Sequence, residues 1–313
     1  VVSIYGFLDR RFAPSTSVFV SVVFQISRSL ATGVTVYAVA LVLSAALGIP
    51  VWANILITGV VTIIYDMMGG MKAVIYSDVI QMSILFAGIL VCSLFALHLV
   101  GGWDAFVANL DVARLNVLNF EGLGLSEGNE FGFWPMVIGG FFLYASYYGC
   151  DQSQAQRVLS ARSLTEARRS LILNGLARFP VVLLYSTMGL ILGTVVLTHP
   201  DFRAMIPHDK PDMMVPTFIV HYLPAGLTGL LIVAILAAAM SSLDSALNSL
   251  SAASVQDLVV RNRRRPLTDR DHLRYSKLFT LFWGTVCTLM AFAVGNISPT
   301  VIEAINKVGS FFY

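Results

Sequence analysis

Charged residues along this chain mark off long apolar runs. No Asp, Glu, Lys or Arg occurs between residues 29 and 65, and further charge-free runs cover 79–103, 131–150, 179–200, 213–243 and 278–302. A helix crosses the hydrocarbon core of a bilayer with about 20 apolar residues. The first run is long enough for more than one such helix, and Gly48-Ile49-Pro50 supplies a turn inside it. The pattern predicts helices over about 14–47, 51–68, 74–99, 132–156, 168–198, 222–259 and 272–295, with one more starting near 299. Gly69-Gly70 closes the second of these, just before Lys72.

Composition removes the alternative of a soluble protein with a large core. Of the 313 residues, 57% are apolar and 12% charged, against about 45–50% and about 25% in soluble domains. The net charge of +2 implies no nucleic-acid or strongly acidic partner. Cys92, Cys150 and Cys287 all lie in apolar runs and form neither a disulfide framework nor a metal-ligand spacing. The expected fold class is therefore all-α, a polytopic membrane helix bundle.

Loop charge tests that reading, because cytoplasmic loops carry the Lys/Arg excess. Arg10 and Arg11 precede the first helix, Lys72 follows the second, and Arg157, Arg162, Arg168 and Arg169 follow the fourth. Arg261, Arg263, Arg264, Arg265, Arg270 and Arg274 follow the sixth, whereas the long 101–131 segment holds Asp104, Asp111, Glu121, Glu127 and Glu130 against Arg114. Strict alternation puts the basic loops inside and the acidic one outside. The first residue is Val1, no targeting segment precedes Asp9-Arg10-Arg11, and the last apolar helix has only begun by Tyr313. The expectation is a fragment truncated at both ends, one transmembrane domain over residues 1–313.

Ionisable groups inside hydrocarbon are costly, so those within the apolar runs are candidates for function. Asp66 and Lys72 lie near helix ends, where a side chain can reach the interface. Arg28 sits within the first helix, with a headgroup, another helix or a substrate anion all open as partners. Asp78 and Gln81 share a face of the third helix. The densest polar stretch is Ala238 to Ser249, where Ser241, Ser245 and Asn248 form one stripe and Ala238, Ser242, Ser245 and Ser249 an adjacent one. Small residues and serines also serve plain helix packing. Asp244 among these hydroxyls and carbonyls supplies hard oxygen ligands that suit a cation such as Na⁺. A second constellation runs from Tyr144 through Tyr147, Tyr148, Cys150, Asp151 and Gln152 to Arg157. It reads either as a solute path with a stacking lid or as an interfacial aromatic belt. Arg178, half-way down the fifth helix, needs a carboxylate, a carbonyl or a substrate.

Four stretches, in order, resemble the sodium:solute symporter family. They are Thr32-Gly33-Val34-Thr35-Val36-Tyr37-Ala38, Gly69-Gly70-Met71-Lys72-Ala73-Val74-Ile75-Tyr76-Ser77-Asp78-Val79-Ile80-Gln81, Asp151-Gln152-Ser153-Gln154-Ala155-Gln156-Arg157 and the serine-rich run 238–249. The resemblance implies a core of two inverted five-helix repeats with mid-membrane sites. This chain would hold core helices three to nine and the start of ten, without the first two, which supply half of the usual sodium site and much of the substrate site. Carried over by position, Ala238 through its carbonyl, Ser241 and Ser242 match the shared sodium site. Asp78, Ser241 and Ser245 match a second one found in some members, with Asp244 beside it. Tyr147 matches an inner aromatic gate, while Tyr144 and Arg178 replace a sugar-binding Asn and Lys. With Gln152, these complete the expected solute set: Tyr144, Tyr147, Gln152 and Arg178.

The resemblance implies sodium-coupled symport of a small organic solute by alternating access. Arg178 and the Gln-x-Gln-x-Gln-Arg pattern point to an anion such as a monocarboxylate, close to the branch that carries monocarboxylates, vitamins and iodide. A sugar or polyol symporter and the membrane sensor domain of a signalling protein stand as alternatives. Na⁺ is the expected co-transported ion, with no organic cofactor, and the plasma membrane the expected location. No nucleophile–base pair, metal triad or phosphate loop suggests an enzyme.

Overall fold

The computed structural model describes residues 3–68, 71–116, 118–120, 132–207, 210–261, 266–295 and 300–310, with side chains throughout except at 71–78 and 310. All regular structure among these residues is helical. A short α1 (Tyr5–Arg11) leads into α2 (Pro14–Leu47), whose first residue is a proline suited to a helix start. Gly48 ends α2 in the left-handed region, φ 66°, with its N–H on Ser44 O, and Pro50 then leads into α3 (Val51–Met68). The helix α4 (Met71–Val100) ends at Gly101-Gly102, both at positive φ, before α5 (Trp103–Asn109).

After this come α6 (Phe133–Gly149) and α7 (Gln152–Leu159). The single helix expected over 132–156 is thus two. The Asp151 carboxylate accepts the Ser153 N–H at 2.8 Å, an N-cap that starts α7 afresh. The helix α8 (Leu164–Thr198) starts on a Ser163 cap that accepts from Glu166 N–H. Short helices α9 (Pro200–Met205) and α10 (Met214–Tyr222) follow, so the stretch expected over 222–259 begins later, as α11 (Ala225–Ala253). It continues as a π-helical segment, Ser254–Val260. Thr268 caps α12 (Asp269–Val294), and α13 (Val301–Ser310) is the last element.

Six helical stretches among the described residues are long and apolar enough to cross a membrane, together making an integral multi-pass protein: Pro14–Leu47, Val51–Met68, Val79–Val100, Leu164–Thr198, Ala225–Val260 and Asp269–Val294. The seventh expected span is α6, which at 17 residues is cut short by the break before Asp151.

Helices α2, α3, α11 and α12 pack on one another, and α4 joins through α11 and α8. Close approach of α3 to α12 depends on two glycines. A Cβ on Gly59 would collide with Thr288, and one on Gly284 with Ile63. In lipid, where apolar surface alone does not drive helices together, such small-residue contacts supply the packing. A separate apolar cluster, with Phe106, Leu192, Val195, Phe202 and Phe218 fully or nearly buried, joins the ends of α4, α8 and α10. By contrast, α6 has no buried residue.

Candidate functional site

The serine run lies in the middle of α11. Ser242 Oγ is 3.5 Å from the Ala238 carbonyl, and Ser245 Oγ donates to the Ser241 carbonyl at 2.9 Å. Ala238, Ser241 and Ser245 are half-buried and Ser242 is exposed, so a carbonyl and hydroxyls open together on one side of the helix. Asp244 is not on that side: two residues from Ser242, and so about 200° around the axis, it is 1% exposed. Ser245 Oγ accepts a hydrogen bond from Arg157 Nη2 on α7, so a guanidinium already occupies this hydroxyl. The side chain of Asp78 lies outside the described residues.

Two of the four expected solute residues meet. Arg178 of α8 lies over the ring of Tyr144 on α6, its guanidinium carbon 4.7 Å from the centroid. One turn away, Asn174 Nδ2 donates to Tyr148 Oη at 2.7 Å, and Tyr148 stacks on Tyr144 at 6.4 Å. Two residues from each helix, spaced i and i+4, therefore interlock. Tyr147 packs edge-on against Tyr148 and its hydroxyl accepts from Gln154 Nε2 at 2.7 Å. Gln152 is elsewhere: fully buried, its Oε1 accepts the Ile4 N–H at 2.9 Å, and no part of it is open to a solute in this conformation.

Several partners were beyond the sequence. Arg28 pairs with Asp151 at 3.7 Å, the carboxylate side chain fully buried. Asp66 is buried among the helices. It is 8% exposed and accepts Asn248 Nδ2 on Oδ1 at 2.7 Å. Asp257, in the π-segment, accepts from Ser3 and Ser21 hydroxyls at 3.1 and 2.8 Å. Ser254 beside it donates to Gln25 Oε1 at 2.7 Å and accepts from Trp283 Nε1 at 2.8 Å. For Arg28 and Asp66 the signal was an ionisable residue in or beside an apolar run, whereas Ser254 and Asp257 carried none; in each case the partner comes from a distant part of the chain.

The first helix fastens two of these parts. Tyr5 Oη donates to the Cys150 carbonyl at 3.1 Å, and Asp9 pairs with Arg261 at 2.8 Å, beyond the π-segment. Burial, and then the Asp151 carboxylate, pushes the Tyr5 phenol well above its ordinary range, so it stays a neutral donor.

The described residues thus form a bundle of long apolar helices with a patch of carbonyl and hydroxyl oxygens on α11 and an aromatic–guanidinium pair between α6 and α8. The profile of the sodium:solute symporter family matches residues 1–312, and the chain belongs to that family. It is 32% identical to a putative sodium-dependent multivitamin transporter of Drosophila melanogaster, over 98% of this chain and 51% of that one. It is 31% identical to the human sodium-coupled monocarboxylate transporter 1, over 98% and 50%. The human sodium/iodide cotransporter is 28% identical, over 93% and 45%. The chain therefore spans about half the length of the curated relatives it matches. These relatives are transporters rather than enzymes. A solved Na⁺-coupled sialic acid symporter, substrate-bound and outward-open, shares the fold with a TM-score of 0.82 at 24% identity, over 99% of this chain and 65% of that one.

Proposed function

We propose that this chain forms part of a sodium-coupled symporter for a small organic anion of the monocarboxylate type, working by alternating access in the plasma membrane. The observation that carries the anion is Arg178. It is exposed, no carboxylate pairs with it among the described residues, and it lies over the Tyr144 ring, so its donors are available to a carboxylate. Tyr144 and Tyr147 would line the same path. Gln152 would act from behind, by holding α1 against the α6–α7 break.

Sodium is assigned to the Ala238 carbonyl and the Ser241 and Ser242 hydroxyls, with Asp78, Ser241 and Ser245 as a second position that Asp244, buried on another side of α11, does not join. The helices are read as core helices three to nine and the start of ten, with the remaining sodium oxygens coming from a helix that faces exposed Ser242. Sodium and solute need only favour the same conformation for each to tighten the other. The partners are Na⁺, the solute and the bilayer, without an organic cofactor.

The test is uptake of labelled lactate by proteoliposomes of the protein, with and without a Na⁺ gradient, competed by biotin, iodide, sialic acid and glucose. Uptake that needs Na⁺ and is blocked by anions is the expected result. Uptake blocked by glucose alone would replace the anion by a sugar, and no uptake of any candidate would remove the transport reading.

A further inference from the structure

Three cations share one face of α12, away from the sodium and solute residues. Arg270, Arg274 and Lys277 are spaced i, i+4 and i+7 over the first turns of the helix, and all are exposed. None of them forms an ion pair among the described residues. The acids of the first turn, Asp269 and Asp271, lie about 100° to either side of this stripe. Asp271 already accepts from the Thr268 hydroxyl at 2.8 Å. The elements packed against α12 are α2, α3, α11 and the π-segment. Their acids, Asp66, Asp244 and Asp257, are all buried, so none of them stands over the exposed stripe.

One turn further on, the same face turns apolar. Leu281, Thr285, Leu289 and Phe292 continue the stripe, and all four are exposed. Thr285 Oγ1 donates to the Leu281 carbonyl at 2.8 Å, so the one polar group of this stretch is satisfied within the helix. From Leu281 to Phe292 the axis rises about 16 Å, about half of a hydrocarbon core some 30 Å thick, which is the depth of one leaflet. Helical side chains lean toward the amino terminus, so the Lys277 stem carries its ammonium back toward Arg274 and out of the hydrocarbon. Loop charge puts this end of α12 on the cytoplasmic side, where the leaflet holds anionic lipids. The start of α8 is basic too, but its adjacent Arg168 and Arg169 diverge by about 100° and line no single face.

We propose that this face of α12 binds an anionic phospholipid of the cytoplasmic leaflet, its phosphate on Arg270, Arg274 and Lys277 and an acyl chain along Leu281, Thr285, Leu289 and Phe292. The two guanidiniums offer paired N–H donors that match phosphate oxygens, and the ammonium adds a point charge. A zwitterionic lipid brings its own cation to the same place and gains less. A dissolved phosphate would leave the apolar half of the stripe bare, so the lipid is the ligand.

Photo-crosslinking of the protein in liposomes reads this without any transport assay. Two probes carry the same photoreactive acyl chain, one on phosphatidylglycerol and one on phosphatidylcholine, and mass spectrometry locates the labelled residues. Labelling of α12 between Leu278 and Phe292 is expected to be at least about fivefold stronger from the anionic probe, the scale of one cation near an anionic headgroup. Each of Arg270→Gln, Arg274→Gln and Lys277→Gln should lower that excess, and the triple variant should abolish it with the melting temperature unchanged. Arg274→Lys should keep part of it. Added glycerol phosphate should not compete. Equal labelling by the two probes, or a triple variant that keeps the excess, would overturn the proposal. So would an absence of label from both probes, which would mean that protein covers this face. Competition by glycerol phosphate would make it a site for a soluble anion instead. None of these results depends on whether lactate is carried.

Discussion

Arg157 donates a hydrogen bond to the hydroxyl of Ser245, joining the short α7 to the middle of α11. A guanidinium and a sodium ion repel one another, so cation binding at Ser245 requires Arg157 to move. Arg157→Gln keeps a donor and removes the charge. The Na⁺ concentration for half-maximal binding is expected to fall by roughly tenfold, the scale of about 1.4 kcal/mol, when followed by calorimetry. An unchanged value would show that no cation comes near this hydroxyl.

Ser242 is the exposed member of the oxygen patch. In Ser242→Ala the helix keeps its packing and loses one ligand, so uptake should need more Na⁺ while the saturating rate at high Na⁺ changes little. A Na⁺ titration of uptake identical to wild type would take Ser242 out of the site.

The buried pair Arg28–Asp151 gives a stability prediction. Arg28→Met leaves a fully buried carboxylate without its cation, expected to cost about 3–5 kcal/mol. Thermal unfolding in detergent measures it. Adding Asp151→Asn should restore much of the loss, because the orphaned charge goes while the Ser153 cap stays partly served; a double variant no better than the single one would assign the loss to packing.

Gly59 and Thr288 test how α3 meets α12. Gly59→Ala is expected to destabilise by about 1–3 kcal/mol through overpacking. Combined with Thr288→Ala, which clears the space, the melting temperature should return toward wild type. Equal losses in the single and double variants would mean the contact is loose.

Arg178→Lys preserves charge but not the flat face that covers Tyr144. A higher KM for an anionic solute with little change in Na⁺ requirement is the expected pattern, read from uptake against solute concentration. Equal effects on both would place Arg178 in the general architecture.

Much of the helix layout was legible because a charge-free run of sufficient length has few alternatives in water or lipid. The α6–α7 break was not, since the apolar run reaches Cys150 and Gln152 to Arg157 continue a plausible helical pattern. Gly149 followed by Asp151, with Ser153 and Gln154 behind, was the available stop-and-start signal. The serine patch was readable because its members share one helix. Arg28 and Asp66 were visible only as costly residues, and Asp257 was not singled out at all, because the groups that satisfy them come from distant parts of the chain. Tyr144 and Arg178 were each singled out, but their contact needed α6 and α8 side by side.

The π-segment at the end of α11 has a consequence for what moves there. Each of its hydrogen bonds closes one residue later than in an α-helix, which turns everything beyond it by about one position, or about 100°. That offset aims Asp257 at Ser3 and Ser21, and Arg261 at Asp9. Were the extra residue drawn back into α-helical register, Arg261 would leave Asp9 on α1 and Asp257 would leave Ser3 and the α2 hydroxyl of Ser21. The register of this one segment is thus what ties the end of α11 to the amino-terminal part of the chain.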